Sequence, residues 1–131
     1  MTEFTFPYQV TYGDTDAAGV VYYARYLEIM ERARWAWLEQ HGVAVAELHR
    51  TGRLFVVAEA HLHYRRPAPL GARLTVGVAV ERVGRASITL RQPVRGADDT
   101  LFVEATLRLG CVDPAGKVSP LPPEVARALA R

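Results

Sequence analysis

The sequence predicts an α+β fold in which one long helix packs on a five-stranded antiparallel sheet. Three observations carry this. Five runs alternate apolar and polar residues with period two, and only residues 22–40 carry apolar side chains at helical spacing over a long stretch. Four of the five runs follow the helix consecutively with no second long helix between them. Each keeps one polar face, so the sheet is antiparallel and covered on one side only. A length of 131 residues suits a single domain, 1–131, with a real core.

In residues 4–12, Phe4, Phe6, Tyr8, Val10 and Tyr12 alternate with Thr5, Pro7, Gln9 and Thr11, and Pro7 pushes this strand towards a sheet edge. The helix over 22–40 presents Tyr23, Tyr26, Leu27, Met30, Ala33, Trp37 and Leu38 on one face, and Gly42 closes it. A short helix over 43–50 is stopped by Gly52. The strand at 54–65 sets Ala58, Ala60, Leu62 and Tyr64 against Glu59, His61, His63 and Arg65. The next, 73–83, sets Leu74, Val76, Val78 and Val80 inward. Residues 86–95 read as one strand around Ile88 and Leu90, and 100–111 as another around Leu101, Val103, Ala105, Leu107 and Leu109. Pro67-Ala68-Pro69-Leu70-Gly71, Gly84 and Gly96-Ala97-Asp98-Asp99 supply the turns. Prolines at 120, 122 and 123 punctuate the tail, which ends in a helical turn or two over 124–131. A sheet with one helix for cover leaves two edges open, and pairing of two chains along 54–65 closes one edge on each.

Composition narrows the function. Half the residues are hydrophobic and 23% are charged, as in soluble globular proteins. Charged residues interrupt every apolar stretch short of the ~20 residues a membrane span needs. The N-terminus lacks a basic start and apolar core, which points to the cytoplasm. A net charge of +2 is too small for a broad phosphate footprint, so no nucleic-acid partner is expected. The one cysteine, Cys111, excludes an internal disulfide and a Cys-based zinc site, and its apolar strand makes it a buried thiol. His61 and His63 share a polar strand face with Glu59 but lack a third ligand. They read as surface or subunit-contact residues, and no metal or separate cofactor is called for. All positive side chains but Lys117 are arginines, the better fork for phosphate oxygens.

The stretch from Tyr12 to Leu38 holds the chemistry. Tyr12-Gly13-Asp14-Thr15-Asp16-Ala17-Ala18-Gly19-Val20-Val21-Tyr22-Tyr23 ends a strand with two carboxylates one residue apart, turns on glycines and enters the long helix. A carboxylate beside free helix N-terminal N–H groups activates a water or attacks a carbonyl while the donors take the developing charge. On residue type alone, Asp before a helix is more often an N-cap and Gly a conformational requirement. The whole string, Tyr-Gly-Asp-Thr-Asp-x-x-Gly-Val-Val-Tyr-Tyr-x-x-Tyr, resembles the signature of the hotdog-fold acyl-CoA thioesterases. Their branch includes 4-hydroxybenzoyl-CoA thioesterase and the short-chain thioesterases linked to the Tol-Pal system. The order of elements is similar over nearly all of the chain, including Pro120-Leu121-Pro122-Pro123.

The resemblance implies a hotdog fold, hydrolysis of short-chain or aromatic acyl-CoA, and dimers, often paired into tetramers, with each active site at a subunit junction. It implies Asp16 as the catalytic carboxylate, base or nucleophile, with the backbone N–H of Tyr23 polarising the thioester carbonyl and Gly19 allowing close approach. Asp14 is left to loop structure. Coenzyme A, part of the substrate, brings phosphates that suit Arg85 in Gly84-Arg85-Ala86-Ser87, with Ser87 beside it. Arg65 and Arg66 are the next candidates, and Tyr26 faces the substrate. Each arginine has the plainer reading of a solvated surface charge. The Tol-Pal-linked branch often reads Val-Val-Tyr-His-Ala-Asn-Tyr where this chain has Val20-Val21-Tyr22-Tyr23-Ala24-Arg25-Tyr26. No histidine therefore assists at this position. A hotdog hydratase or dehydratase and a non-catalytic acyl-CoA-binding protein remain alternatives, since fold does not settle function.

Overall fold

Alternation along the chain produces one antiparallel sheet whose apolar face is wrapped by one helix, as seen in a computed structural model describing residues 3–130. The strands are β1 (Phe4–Gln9), β2 (Leu54–Tyr64), β3 (Arg73–Val83), β4 (Ser87–Arg91), β5 (Val94–Gly96) and β6 (Leu101–Val112). The helices are α1 (Arg25–Gln40), α2 (Val45–Arg50) and α3 (Pro123–Leu129). Strands lie in the order β1-β3-β4-β6-β2, with β5 between β3 and β6. β1 and β2 are therefore the edges, and Pro7, which lacks an N–H, is tolerated in β1.

The sheet has six strands where the sequence predicts five, because residues 86–95 form two. Buried Gln92 and Pro93 break the run between β4 and β5. Pro93 has no ladder N–H to give, and its carbonyl instead accepts from Gly77 N at 2.8 Å. β2 holds a second departure: the register slips between Val57 and Glu59. Phe55 and Val57 face α1 before the bulge, opposite Cys111 and Leu109, and Ala60, Leu62 and Tyr64 face it after, opposite Leu107, Ala105 and Val103. The extra residue, Ala58, exchanges odd for even positions.

α1 begins at Arg25, three residues later than periodicity suggests, and ends in a Schellman motif. Gly42, at φ 79°, donates to Glu39 O at 3.0 Å, and Val43 N donates to Leu38 O at 2.9 Å. Its buried face is Tyr26, Ile29, Met30, Ala33, Arg34, Trp37 and Leu38. Tyr23 and Leu27, expected on that face, are largely exposed, while Ile29 and a charged residue, Arg34, take core positions. Leu74, Val76 and Val78 of β3, Ile88 and Leu90 of β4, and Val103, Leu107, Leu109 and Cys111 of β6 complete the core. α3 buries Val125, Ala128 and Leu129, and Leu121 N hooks the tail to Arg85 O at 3.0 Å. The end of the predicted tail helix, Arg131, lies outside the described residues. Among those described, no helix is long and apolar enough to cross a membrane.

The corner joining β1 to α1 is locked by Asp14, which is 1% exposed. Its Oδ1 accepts from the Tyr8 hydroxyl at 2.7 Å and Arg25 Nε at 2.9 Å, and its Oδ2 from Thr11 N at 2.9 Å. One carboxylate thus ties strand, turn and helix. Burial alone would push the Asp14 carboxyl up, but the Thr11 N–H, the Tyr8 hydroxyl and the Arg25 guanidinium together hold it below the usual carboxylate range. Burial and the bond to Asp14 raise Tyr8. Because the folded carboxyl binds its proton less readily than the unfolded one, its stabilisation is complete above about pH 4 and lost as pH falls through the lower folded value. Asp14→Ala should cost about 3 kcal/mol by removing the acceptor of the Tyr8 hydroxyl and the Thr11 N–H and leaving Arg25 only the exposed Glu28. Asp14→Asn should cost less, since one oxygen remains to accept. Urea unfolding of both variants between pH 7 and pH 2 checks this: the wild type should lose the Asp14 increment in acid, and an Ala variant as stable as wild type at pH 7 would refute the lock.

Candidate active site

Two residues beyond Asp14, the second carboxylate has the opposite surroundings. Asp16 is exposed, and its Oδ1 accepts from Ala18 N at 2.9 Å. Its Oδ2 has no partner among the described residues. The loop that carries it is stitched by backbone: Asp16 N donates to Val20 O at 3.0 Å, and Gly19 N to Asp16 O at 3.0 Å. Val21 N reaches Ala68 O, and Leu70 N reaches Gly19 O, both at 2.9 Å, so the loop before α1 is anchored on the loop after β2. Gly19 sits at φ 76°, and a Cβ there would meet nothing within 4 Å in the chain. The left-handed backbone favours glycine here, and the space beside it is open.

Tyr23 lies two residues ahead of α1, in a turn, and not in the helix's first turn as expected. Tyr22 N donates to Asp14 O at 2.9 Å, and Arg25 N to Tyr22 O at 2.9 Å. The N–H groups of Tyr23 and Ala24 meet no acceptor among the described residues. Ala24 is the helix N-cap and offers no side-chain cap, so both donors stand open at the positive end of the helix dipole. The Tyr64 hydroxyl, from the end of β2, donates to Tyr23 O at 2.9 Å and holds this turn in place.

Asp16, Tyr23, Tyr26, Arg65 and Arg66 line one groove of about 330 Å³, with Val20, Val21, Tyr64 and Pro67 completing it. Tyr26, 2% exposed, forms its floor, with its ring 5.8 Å from that of Tyr64. Burial, with Tyr64 alongside, pushes Tyr26 up to about 12, so it is a neutral phenol at any ordinary pH. Arg65 is already engaged: its Nε and Nη2 reach Glu104 Oε2 at 3.0 and 2.6 Å. Arg66 has no side-chain partner among the described residues.

Arg85 and Ser87 do not join this groove within one chain. Tyr64 pairs with Val103 and Ser87 with Gly110, so they lie seven residues apart along β6, about 23 Å. His61 contacts Glu59 at 3.3 Å on the outer face, where Arg108 also binds Glu59. Three participants escaped the sequence reading. Ala24 offers a backbone N–H, which residue type conceals, and Tyr64, on the inner face by alternation, acts through its hydroxyl on a carbonyl 41 residues away. Arg25 was seen only as a departure from the family pattern, yet its guanidinium neutralises Asp14.

Residues 10–129 match the model of the thioesterase-like superfamily. The chain is 40% identical over 129 residues to the acyl-CoA thioesterase YbgC of Haemophilus influenzae, covering 95% of this chain and 93% of that one. It is 36% identical over 113 residues to the acyl-CoA thioester hydrolase YbgC of Escherichia coli, covering 86% and 84%. Among solved structures, Slr0204, a 1,4-dihydroxy-2-naphthoyl-CoA thioesterase from Synechocystis, superposes with a TM-score of 0.90 at 25% identity, covering 98% of this chain and 96% of that one. With the signature around Asp16 and the sheet wrapped on one helix, these matches make the chain a member of the hotdog-fold acyl-CoA thioesterases, a family of acyl-CoA thioester hydrolases.

Proposed function

We propose that this chain hydrolyses short-chain or aromatic acyl-CoA thioesters, with Asp16 as nucleophile or as base for water. The observation that carries this is the pairing, in one groove, of the exposed carboxylate of Asp16 with Tyr23, whose N–H is open. With the thioester carbonyl in the groove, Asp16 attacks its carbon or takes a proton from the attacking water, and charge grows on the carbonyl oxygen. The N–H of Tyr23, with Ala24 beside it, stabilises that charge. Collapse expels the thiolate of coenzyme A, whose thiol, like a cysteine at about 8.5, leaves without a strong acid. That fits a groove holding no histidine. Where Asp16 is the nucleophile, water then cleaves the acyl-aspartyl anhydride, releasing the free acid and restoring the carboxylate. The names of the YbgC relatives support acyl-CoA as the substrate, and that of the 1,4-dihydroxy-2-naphthoyl-CoA hydrolases supports an aromatic acyl group. A cytoplasmic setting, reducing and supplied with CoA thioesters, fits the free thiol of Cys111.

The working enzyme in this reading is a dimer or a tetramer of dimers joined along β2. This edge strand leaves Val56, Val57 and Tyr64 exposed, and Leu27 and Trp35 of α1 are exposed as well. In an antiparallel pairing of two β2 edges, the Leu54 end of one chain lies beside the Tyr64 end of the other. That brings the second chain's Arg85 and Ser87 towards the Asp16 groove, where the phosphates of coenzyme A need a cation.

Asp16→Asn should lower turnover by at least about a hundredfold on any CoA thioester that the wild type hydrolyses, with the thermal midpoint unchanged. Thiol release measured with a panel of acyl-CoAs checks this, and an active Asn variant would sink the mechanism. Arg85→Ala should raise KM at low salt, by a factor that shrinks as salt screens the contact, and leave kcat nearly unchanged. A KM unaltered at low salt would remove Arg85 from nucleotide binding. Light scattering at micromolar concentration should find a dimer or tetramer, and a stable monomer would count against a shared site.

A further inference from the structure

A second cavity, of about 440 Å³, lies between the C-terminal half of α1, α2 and the start of β2. Trp35, Leu38, Val45, Phe55 and Leu109 make it mostly apolar, yet Arg34 opens into it. Arg34 occupies a core position of α1 and is 8% exposed. Its Nη1 donates to Gln92 Oε1 at 3.0 Å, and Gln92 is held in that orientation by its own Nε2, which donates to Met30 O at 3.0 Å. Gln92 is neutral, and among the described residues no carboxylate lies within 4 Å of Arg34. The nearby acid, Glu31, stands exposed at the rim. Nε and Nη2 of Arg34 have no hydrogen-bond partner among the described residues. Since no fully buried side-chain nitrogen or oxygen among the described residues lacks a partner, these two nitrogens face the cavity.

A guanidinium keeps its charge, and this one, largely buried, meets a single neutral side chain and otherwise only the cavity, in a core position that an apolar residue would fill at less cost. Arg53 also lines the cavity, so its cations outnumber its one acid, Glu31. We propose that this cavity receives the far end of the acyl group, and that Arg34 recognises an anionic oxygen there, a carboxylate or an ionised aryl hydroxyl, on an otherwise apolar body. The fork of two free N–H donors suits such an oxygen, and the walls suit a chain or ring. This rests on the proposed function in one respect. The cavity sits at the Leu54 end of β2, which two-fold pairing sets beside the Asp16 groove of a second copy.

Two measurements test it. The first uses the wild-type protein alone: octanoate should change the fluorescence of Trp35 saturably, while octanol at equal concentration should not. An equal response to both overturns the proposal. The second compares CoA thioesters of equal length ending in carboxylate or methyl, and benzoyl-CoAs with and without a hydroxyl. The wild type should favour the anionic member of at least one pair by about tenfold or more in kcat/KM, and Arg34→Met should abolish that preference, with Arg34→Lys restoring part of it. Equal selectivity in wild type and Arg34→Met overturns the assignment, as does a wild type that favours neither member. A protein that binds octanoate through Arg34 yet releases no thiol from any thioester keeps the cavity site and removes the hydrolase reading.

Discussion

Everything at the candidate site hangs on the carboxylate of Asp14. It is buried, and three groups from three parts of the chain converge on it: the Tyr8 hydroxyl from β1, the Thr11 N–H from the turn and the Arg25 guanidinium from the first turn of α1. A charge removed from water must be compensated on every side, and this compensation sets the angle at which strand becomes helix. The angle in turn decides where Asp16 and the N–H groups of Tyr23 and Ala24 stand. Two aspartates separated by one residue thus divide the labour, the buried one holding the corner and the exposed one left with an oxygen free.

The second constraint is the unfinished edge of the sheet. β2 ends the sheet with unpaired backbone on one side, and apolar side chains lie exposed along it and on neighbouring α1. On its outer face Glu59 is paired with Arg108 of β6, and Arg65 beyond its end with Glu104 of β6, so these two arginines offer little to a phosphate. The bulge at Ala58 lets one strand present Val57 to the second cavity and Tyr64 to the Asp16 groove, both inward, from opposite ends.

Much of this was legible in the residues. Period-two alternation located β3 and β6 closely, because a strand with one face on a core cannot shift register without exposing it, whereas it ran three residues past the end of β1, where Tyr12 enters an exposed turn. Helical spacing found α1, and Gly42 marked its end. The misses share a cause. Tyr22 and Tyr23 resemble helix residues in type, so periodicity ran three residues ahead of the true start. Buried Gln92 beside Pro93 split one expected strand in two, for a reason that lies in Arg34 and Met30, some sixty residues away in sequence.

By itself the sequence determined the layers, the extent of the helix on its C-terminal side, the burial of Cys111 and the motif that marks the family. These follow from local periodicity and from a motif whose residues are near neighbours. Only the tertiary structure decided which of the two aspartates is buried, that Gly19 sits at positive φ beside open space, that Arg65 is taken by Glu104, and that Arg85 stands at the far end of the sheet from the Asp16 groove. Each of those depends on which strands become neighbours and on which donor arrives from a distant segment to meet a given acceptor. Such pairings arise from the folding of the whole chain, and no local pattern of residues encodes them.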